Sequence, residues 1–418
     1  MPVYRVLSIL KISFILSLFM ACSLFAAQPS NQSFGLTTQG GHDGQIIKVT
    51  NLNNEGIGSL RWALEQQGKR IVVFEVGGVI DLAKQNIQIN QPFVTIAGQT
   101  APQPGITLIR GGIKIVTNDV IIQHLMIRPG DNNEKKRSGW ETDGIAVSGS
   151  SAFNVHIDHC SVTWAIDENM SASGPRDKGH EATSHDIAFT NNIIAEALDN
   201  STHVKGRHSK GLLVHDYVRN VAVLNNLFAH NDRRNPYFKG HTNGVVVNNL
   251  LYDIGNAAVQ LGFVEEEYAH TTLKPSNPRI AVVGNRLIYG TSSYSDLALV
   301  AYQGDVYLHD NQVVNLEGVL MPITQGVINK LKEFPLWPKG VVAFPQEEVE
   351  ARILKHVGAR PWNRDPIDKR IVNSVIDKTG QIIDSQAEVG GYPHYGATYR
   401  ALEVPSTNID IWLTSFER

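Results

Sequence analysis

Val221-Ala-Val-Leu-Asn-Asn-Leu-Phe228 is followed by Val245-Val-Val-Asn-Asn-Leu-Leu-Tyr252, and the same phrase recurs through the middle of the chain. Upstream it reads Val120-Ile-Ile-Gln-His-Leu-Met-Ile127, Val155-His-Ile-Asp-His-Cys-Ser-Val162 and Ile187-Ala-Phe-Thr-Asn-Asn-Ile-Ile194. Downstream it continues as Ile280-Ala-Val-Val-Gly-Asn-Arg-Leu287 and Val306-Tyr-Leu-His-Asp-Asn-Gln-Val313. Each copy alternates apolar residues, bends at a polar step and resumes as a second short apolar run, which is the pattern of strand, bend, strand. The shortest spacings, about 24 and 26 residues, suit one coil of a parallel β-helix, and the longer ones suit a coil carrying a loop. Asn192, Asn226, Asn285 and Asn311 fall at matching places in the bends, where amides stacked along the axis satisfy a buried turn that apolar residues could not. A reading in which Asn-Asn merely marks loops leaves the common register of the copies without a cause.

The composition agrees with a long β architecture. The 418 residues are 42% apolar and 18% charged with a net charge of −3, which excludes a low-hydropathy disordered chain and a globally basic nucleic-acid binder. Thirty-six glycines favour many short strands separated by turns. Arg5 and Lys11 flank an apolar stretch over residues 12–25, with Ala26 and Ala27 before polar Gln28, so residues 1–27 read as an export signal and the protein as secreted or periplasmic. Lipoprotein processing at Cys22 is the rival, weakened by the lead-in Phe19-Met20-Ala21. No other apolar run approaches the ~20 residues of a membrane span. With Cys22 removed, Cys160 has no partner for an internal disulfide.

The fold class is therefore all-β, a right-handed parallel β-helix spanning residues 28–330, with the repeated phrase itself inside residues 34–320. Ser59-Leu-Arg-Trp-Ala-Leu-Glu-Gln-Gln67 reads as a short N-terminal cap helix. Residues 331–418 lose the phrase and form a partly helical extension packed on the solenoid. Two helices are expected there, over residues 346–357 and 366–378, the second opened by Asp365 as N-cap and Pro366 at the first helical position.

Extra length concentrates between residues 128 and 220, where loops on a rigid solenoid would build a site. Glu141 and Asp143 stand two apart and Asp167-Glu168 follows the next bend, so neighbouring coils bring carboxylates together; such a cluster repels itself unless a hard cation intervenes. On composition alone, a turn at Thr142-Asp143-Gly144 and a solvated Asp167 is the plainer alternative. A basic cluster follows, Lys205, Arg207, Lys210, Arg233, Arg234 and Lys239, with only Asp216 and Asp232 as local acids. It suits a polyanionic partner. Nucleic acid is disfavoured by the scarcity of aromatics for base stacking, and a solvated positive rim remains the alternative.

Glu141-Thr-Asp-Gly-Ile, Val155-His-Ile-Asp-His-Cys-Ser-Val-Thr-Trp-Ala-Ile-Asp167-Glu and Asn231-Asp-Arg-Arg-Asn-Pro-Tyr-Phe-Lys239 resemble, in order, the signature segments of the pectate lyase superfamily, polysaccharide lyase family 1. Ala359-Arg-Pro-Trp-Asn-Arg-Asp-Pro-Ile-Asp is similar to an extension in one bacterial and fungal branch. The resemblance implies a β-helix with Ca2+ in an acidic cleft and an acidic polysaccharide as partner. By position, Glu141 and Asp143 match the paired calcium ligands, Asp167 the next, and Ser171 stands where a further carboxylate is usual. Arg234 matches the catalytic arginine, followed by Pro236. Lys239 replaces a substrate-binding arginine, losing the bidentate fork. Lys210 matches a substrate-binding lysine across an insertion at residues 201–209, and Arg233 is a further cation for substrate. Asp158 and His159 are expected to fix the bend, and Trp164 and Tyr237 to pack in the core.

The implied reaction is β-elimination in a 4-linked uronate polymer, pectate by default, leaving a 4,5-unsaturated uronate, catalysed by a monomeric lyase. Arginine is protonated in ordinary surroundings, so Arg234 as base requires a setting crowded with cations, Arg233 and Lys239 among them. Two rivals stay open: a polygalacturonase-type hydrolase using carboxylates ~5–9.5 Å apart, and a β-helix that binds carbohydrate without chemistry.

Overall fold

The computed structural model describes residues 33–418; the expected export signal and Cys22 lie outside them. Three ladders of parallel strands wind along one axis. The first runs from Gln45–Val49 and Arg70–Phe74 through Phe153–Asp158, His185–Thr190 and Arg219–Leu224 to Arg279–Val283. The second runs from Ile87–Ile89 through Ile145–Ser148, Glu168–Ser173, Lys210–Val214 and Tyr237–Phe238 to Val259–Leu261. The third runs from Val76–Asp81 through Ser161–Thr163 and Leu227–Ala229 to Gln312–Val314. Val300–His309 is long enough to serve both the first and second ladders, and Thr324–Lys330 lies on it as the last rung. This is a parallel β-helix.

Alternation places one residue in two inside the coil. Val155, Ile157, Ile187, Phe189, Val221 and Val223 of the first ladder are fully buried and share one core with Met170, Leu212 and Phe238 of the second. Each such side chain contributes about 1.5–3 kcal/mol of burial. The bend amides form the expected stack with Asn249 as a further rung: Asn192, Asn226, Asn249 and Asn285 each donate Nδ2 to Oδ1 of the next at 3.0 Å, the last to Asn311. Register corrects one copy of the phrase. Gly244, not Val245, lies opposite Val221 and Ile280.

Ser59 caps the helix Leu60–Glu65 through a bond from Trp62 N. In the extension, Val349–His356 and Pro366–Asp377 are helical, the latter N-capped by the Asp365 side chain. It ends on Lys378 in the left-handed region, φ 54°. Apolar residues of these helices, Val349, Ile353, Ile371 and Val375, cover the outer face of the third ladder at Ile193, Leu227 and Leu250. Phe34, Phe334 and Trp337 cover the first ladder at Ala188, Ala222 and Val245. Thr398–Tyr399 adds an antiparallel strand to Val76–Asp81, and Leu402 and Leu413 pack on Ile71 and Val73. Among the described residues no helix is long and apolar enough to cross a membrane.

Candidate active site

The second ladder carries the charged residues, and its register explains their order. Ile145 lies opposite Met170, which sets Asp143 beside Glu168; Glu168 lies opposite Lys210, and Lys210 bridges to Arg233. Four successive coils therefore present, at one edge, carboxylate, carboxylate, ammonium and guanidinium, with neighbouring strands ~4.8 Å apart. Along the outer face next to them run Ala146, Ser171, Leu213, Tyr237 and Gln260. The basic half opens into a cleft of about 420 Å³ lined by Lys205, Lys210, Arg233, Arg234, Tyr237 and Tyr294, among others.

Oxygens of Asp143, Asp167 and Glu168 lie within 4.8 Å of one another. Asp143 accepts from Ser171 Oγ at 2.5 Å and from Glu168 N at 3.2 Å. Burial and the charge of Asp167 nevertheless push its carboxyl up to about 6. Burial raises Glu168 too, although Arg234 Nη1 contacts its Oε1. Asp167 behaves oppositely: burial would raise it, but the His208 hydrogen bond at 2.8 Å and the charge of Lys210 hold it below the usual carboxylate range. His208 is pushed down to about 4 by burial, and Lys210 to about 8 by burial and the charge of Arg234. Three close carboxylates of which two resist ionisation are a donor set that fits a hard divalent cation.

Several residues stand elsewhere than their positions suggested. Glu141 points to the 201–209 segment, accepting from Val204 N at 2.8 Å, and His203 lies between it and Asp167. Glu168, adjacent to Asp167 in sequence, completes the acidic group in its stead. Ser171 acts as a donor to Asp143. Lys239 is almost fully buried, 3.0 Å from Asp216 and in contact with Glu267, so it does not line the cleft. Arg233 pairs with Asp232 at 2.9 Å and does line it. Arg234 sits at φ 62° before a cis Asn235–Pro236 bond, its guanidinium 5.6 Å from the Tyr237 ring centre. Tyr237 is buried as expected, 7% exposed, and also lines the cleft, whereas Trp164 is core and donates Nε1 to Glu196 at 2.9 Å. Asp158 binds Thr190 Oγ1 and Asn191 Nδ2 of the next coil at 2.5 and 2.8 Å, tying one bend to another.

No family model matches the chain. A curated relative, the probable pectate lyase C of Aspergillus flavus, is 32% identical over 392 residues, 90% of this chain and 84% of the relative. The chain belongs to the pectate lyase family. The corresponding protein of Aspergillus fumigatus is 30% identical over 387 residues, 89% of this chain and 82% of the relative. Among solved structures, jun a 1, the major allergen from cedar pollen, aligns with TM-score 0.57 at 18% identity, over 78% of this chain and 92% of the allergen. A Bacillus pectate lyase in complex with trigalacturonate aligns with TM-score 0.50 at 14% identity, over 79% and 98%. At such identities the likeness is one of fold, and that fold is the pectate lyase β-helix.

Proposed function

We propose that this member of the pectate lyase family is a secreted, monomeric lyase that cleaves 4-linked uronates, pectate foremost, by calcium-assisted β-elimination. The observation that carries the reading is the order of charge along one edge of the second ladder, two coils of carboxylate followed by two of cation, beside a cleft that a polyuronate can enter. Asp143, Asp167 and Glu168 are the side chains proposed to hold calcium, with Glu141 reaching them only by turning away from Val204. Bound there, calcium would neutralise the uronate carboxylate beside the C5 proton and lower the cost of the charge that develops as the proton leaves.

The chain's own groups divide the remaining work. Arg233 and Lys210 attract uronate carboxylates into the cleft. Tyr237 offers a flat wall and fixes the Arg234 guanidinium over its ring. Arg234, at the boundary between acidic and basic coils, is the group proposed to take the C5 proton; its left-handed backbone lifts it out of the strand alternation and toward the carboxylates, where Glu168 holds its guanidinium. The role requires that contact to be released, with Lys210 and Arg233 as the neighbouring cations in place of Lys239, which Asp216 and Glu267 claim. Incubation with a panel of uronans, with and without calcium, tests the proposal by the ultraviolet absorbance of unsaturated product. Saturated reducing ends released without calcium would overturn it.

A further inference from the structure

We infer that Arg176 and Lys239 form a seat for one uronate carboxylate beside the cleft, and that Glu267 of the same chain occupies that seat until substrate displaces it. The inference rests on the polyuronate reading above. Lys239 stands two residues beyond Tyr237 and hence on the same outer face of the second ladder. Its side chain is 5% exposed, and its ammonium lies 3.0 Å from Asp216 Oδ2 and contacts Glu267 Oε2. Arg176 Nη1 contacts the same Glu267 oxygen and lies 3.7 Å from Asp216 Oδ2.

The charges can be counted. Asp216 belongs to the frame: it is fully buried, its Oδ1 accepts from Tyr268 Oη at 2.7 Å and from Gly240 N at 3.2 Å, and its backbone N–H donates to His215 Nδ1 at 2.8 Å. Against two cations it leaves one positive charge over. Glu267 supplies the balancing carboxylate from a different kind of place, the single turn Glu265–Tyr268 on the surface, flanked by exposed Glu265 and Glu266 and itself 28% exposed. Val264, immediately before that turn, lines the cleft. A guanidinium and an ammonium converging on one carboxylate oxygen, next to a polyuronate groove, is a recognition geometry for the group that every substrate residue carries. Glu267 fills it with the same group, so substrate has to compete with it.

The test is calorimetric binding of trigalacturonate to the wild-type protein, Glu267→Ala, Glu267→Gln and Arg176→Ala, together with KM on polygalacturonate. Removing the internal competitor should tighten trigalacturonate binding about tenfold or more in both Glu267 variants, the scale of one charge-assisted hydrogen bond. Arg176→Ala introduced into Glu267→Ala should cancel that gain. Unchanged or weaker binding in Glu267→Gln, which keeps the shape of the side chain and its fold, would overturn the inference and show Glu267 to be a structural clip. Tighter binding without turnover on any uronan would support the seat while overturning the lyase reading.

Discussion

Replacing Asn249 by Ala removes the central rung of the amide stack. Its Oδ1 accepts from Asn226 N at 2.9 Å and from Asn226 Nδ2 at 3.0 Å, and its Nδ2 donates to Asn285 Oδ1 at 3.0 Å and Val223 O at 2.9 Å. The site is fully buried, so water cannot take over. Each lost bond is worth about 0.5–1.5 kcal/mol net, and each buried group left unpaired costs about 1–3 kcal/mol. Asn226 keeps its bond to Phe189 O and Asn285 Oδ1 keeps the Asn249 backbone N–H, which limits the orphans chiefly to the Asn226 backbone donor and the Val223 carbonyl. The expected loss is about 3–5 kcal/mol, a large part of the ~5–15 kcal/mol that holds a domain folded. Asn311, the last rung, accepts the same pair of bonds from Asn285 but is only half-buried, and water replaces much of what Ala removes there. Asn311→Ala should therefore cost ~1–2 kcal/mol. Urea unfolding followed by circular dichroism gives both values from the midpoints, provided the slopes agree. Equal costs at the two positions, or a loss under ~1 kcal/mol for Asn249→Ala, would refute the reasoning.

Arg234→Lys should lower kcat on polygalacturonate by ~10²–10⁴ with little change in KM, since positive charge survives and the proton-accepting geometry does not; a mutant that mainly raises KM would make Arg234 an anchor. Asp143→Asn should weaken calcium binding sharply in titrations with an inert oligouronate present, and equal binding by mutant and wild type would move the cation elsewhere. Acid stability offers an independent check at Asp158. Burial would raise its carboxyl, but the His159 hydrogen bond and the charges of His159 and His156 outweigh it and hold it well below the usual range, while that same bond lifts His159 against its own burial. The Asp158 contribution is present above ~pH 4 and lost on acidification, and that of His159 is present below ~pH 6.5 and lost on the alkaline side. Asp158→Asn should thus differ most from wild type between about pH 4 and 6.5; a difference that grows toward pH 3 would contradict the assignment.

The solenoid was legible because its repeat is written in both periodicity and asparagine, and most of its ladder follows directly. The slip at Val245 has a physical cause. Gly244 holds an inward position where a Cβ would meet Val221 O at 2.3 Å and the Phe238 ring at 2.7 Å, so a core site appears in the sequence without an apolar side chain. Asp143, Asp167, Lys210, Arg233 and Arg234 could be picked out because they belong to contiguous segments. The surroundings that decide their use could not. Glu141 is turned by a backbone N–H 63 residues away, and Lys239 is claimed by Glu267 and Asp216, acids that only folding brings to it. Tyr237 is buried as an aromatic on a strand should be, and only the neighbouring coils show that its face also borders the cleft.

The tail that returns to the first coils changes what kind of object the solenoid is. A stack of coils in which each touches only the next can come apart like a zipper, opening from whichever end is weaker. Here Thr398–Tyr399 is bonded to Val76–Asp81 near the start of the stack, and Asp365 and Asp368 grip Arg128 at 2.6 and 2.8 Å. The helices between cross the rungs at Ile193, Leu227 and Leu250. Fraying at the first coil therefore has to release the last residues of the chain, and loosening of those residues uncovers the middle coils. The strap converts a row of local equilibria into a single melting unit, so loss of residues 398–413 would be felt first in the coils at Ile71, Val73 and Val76.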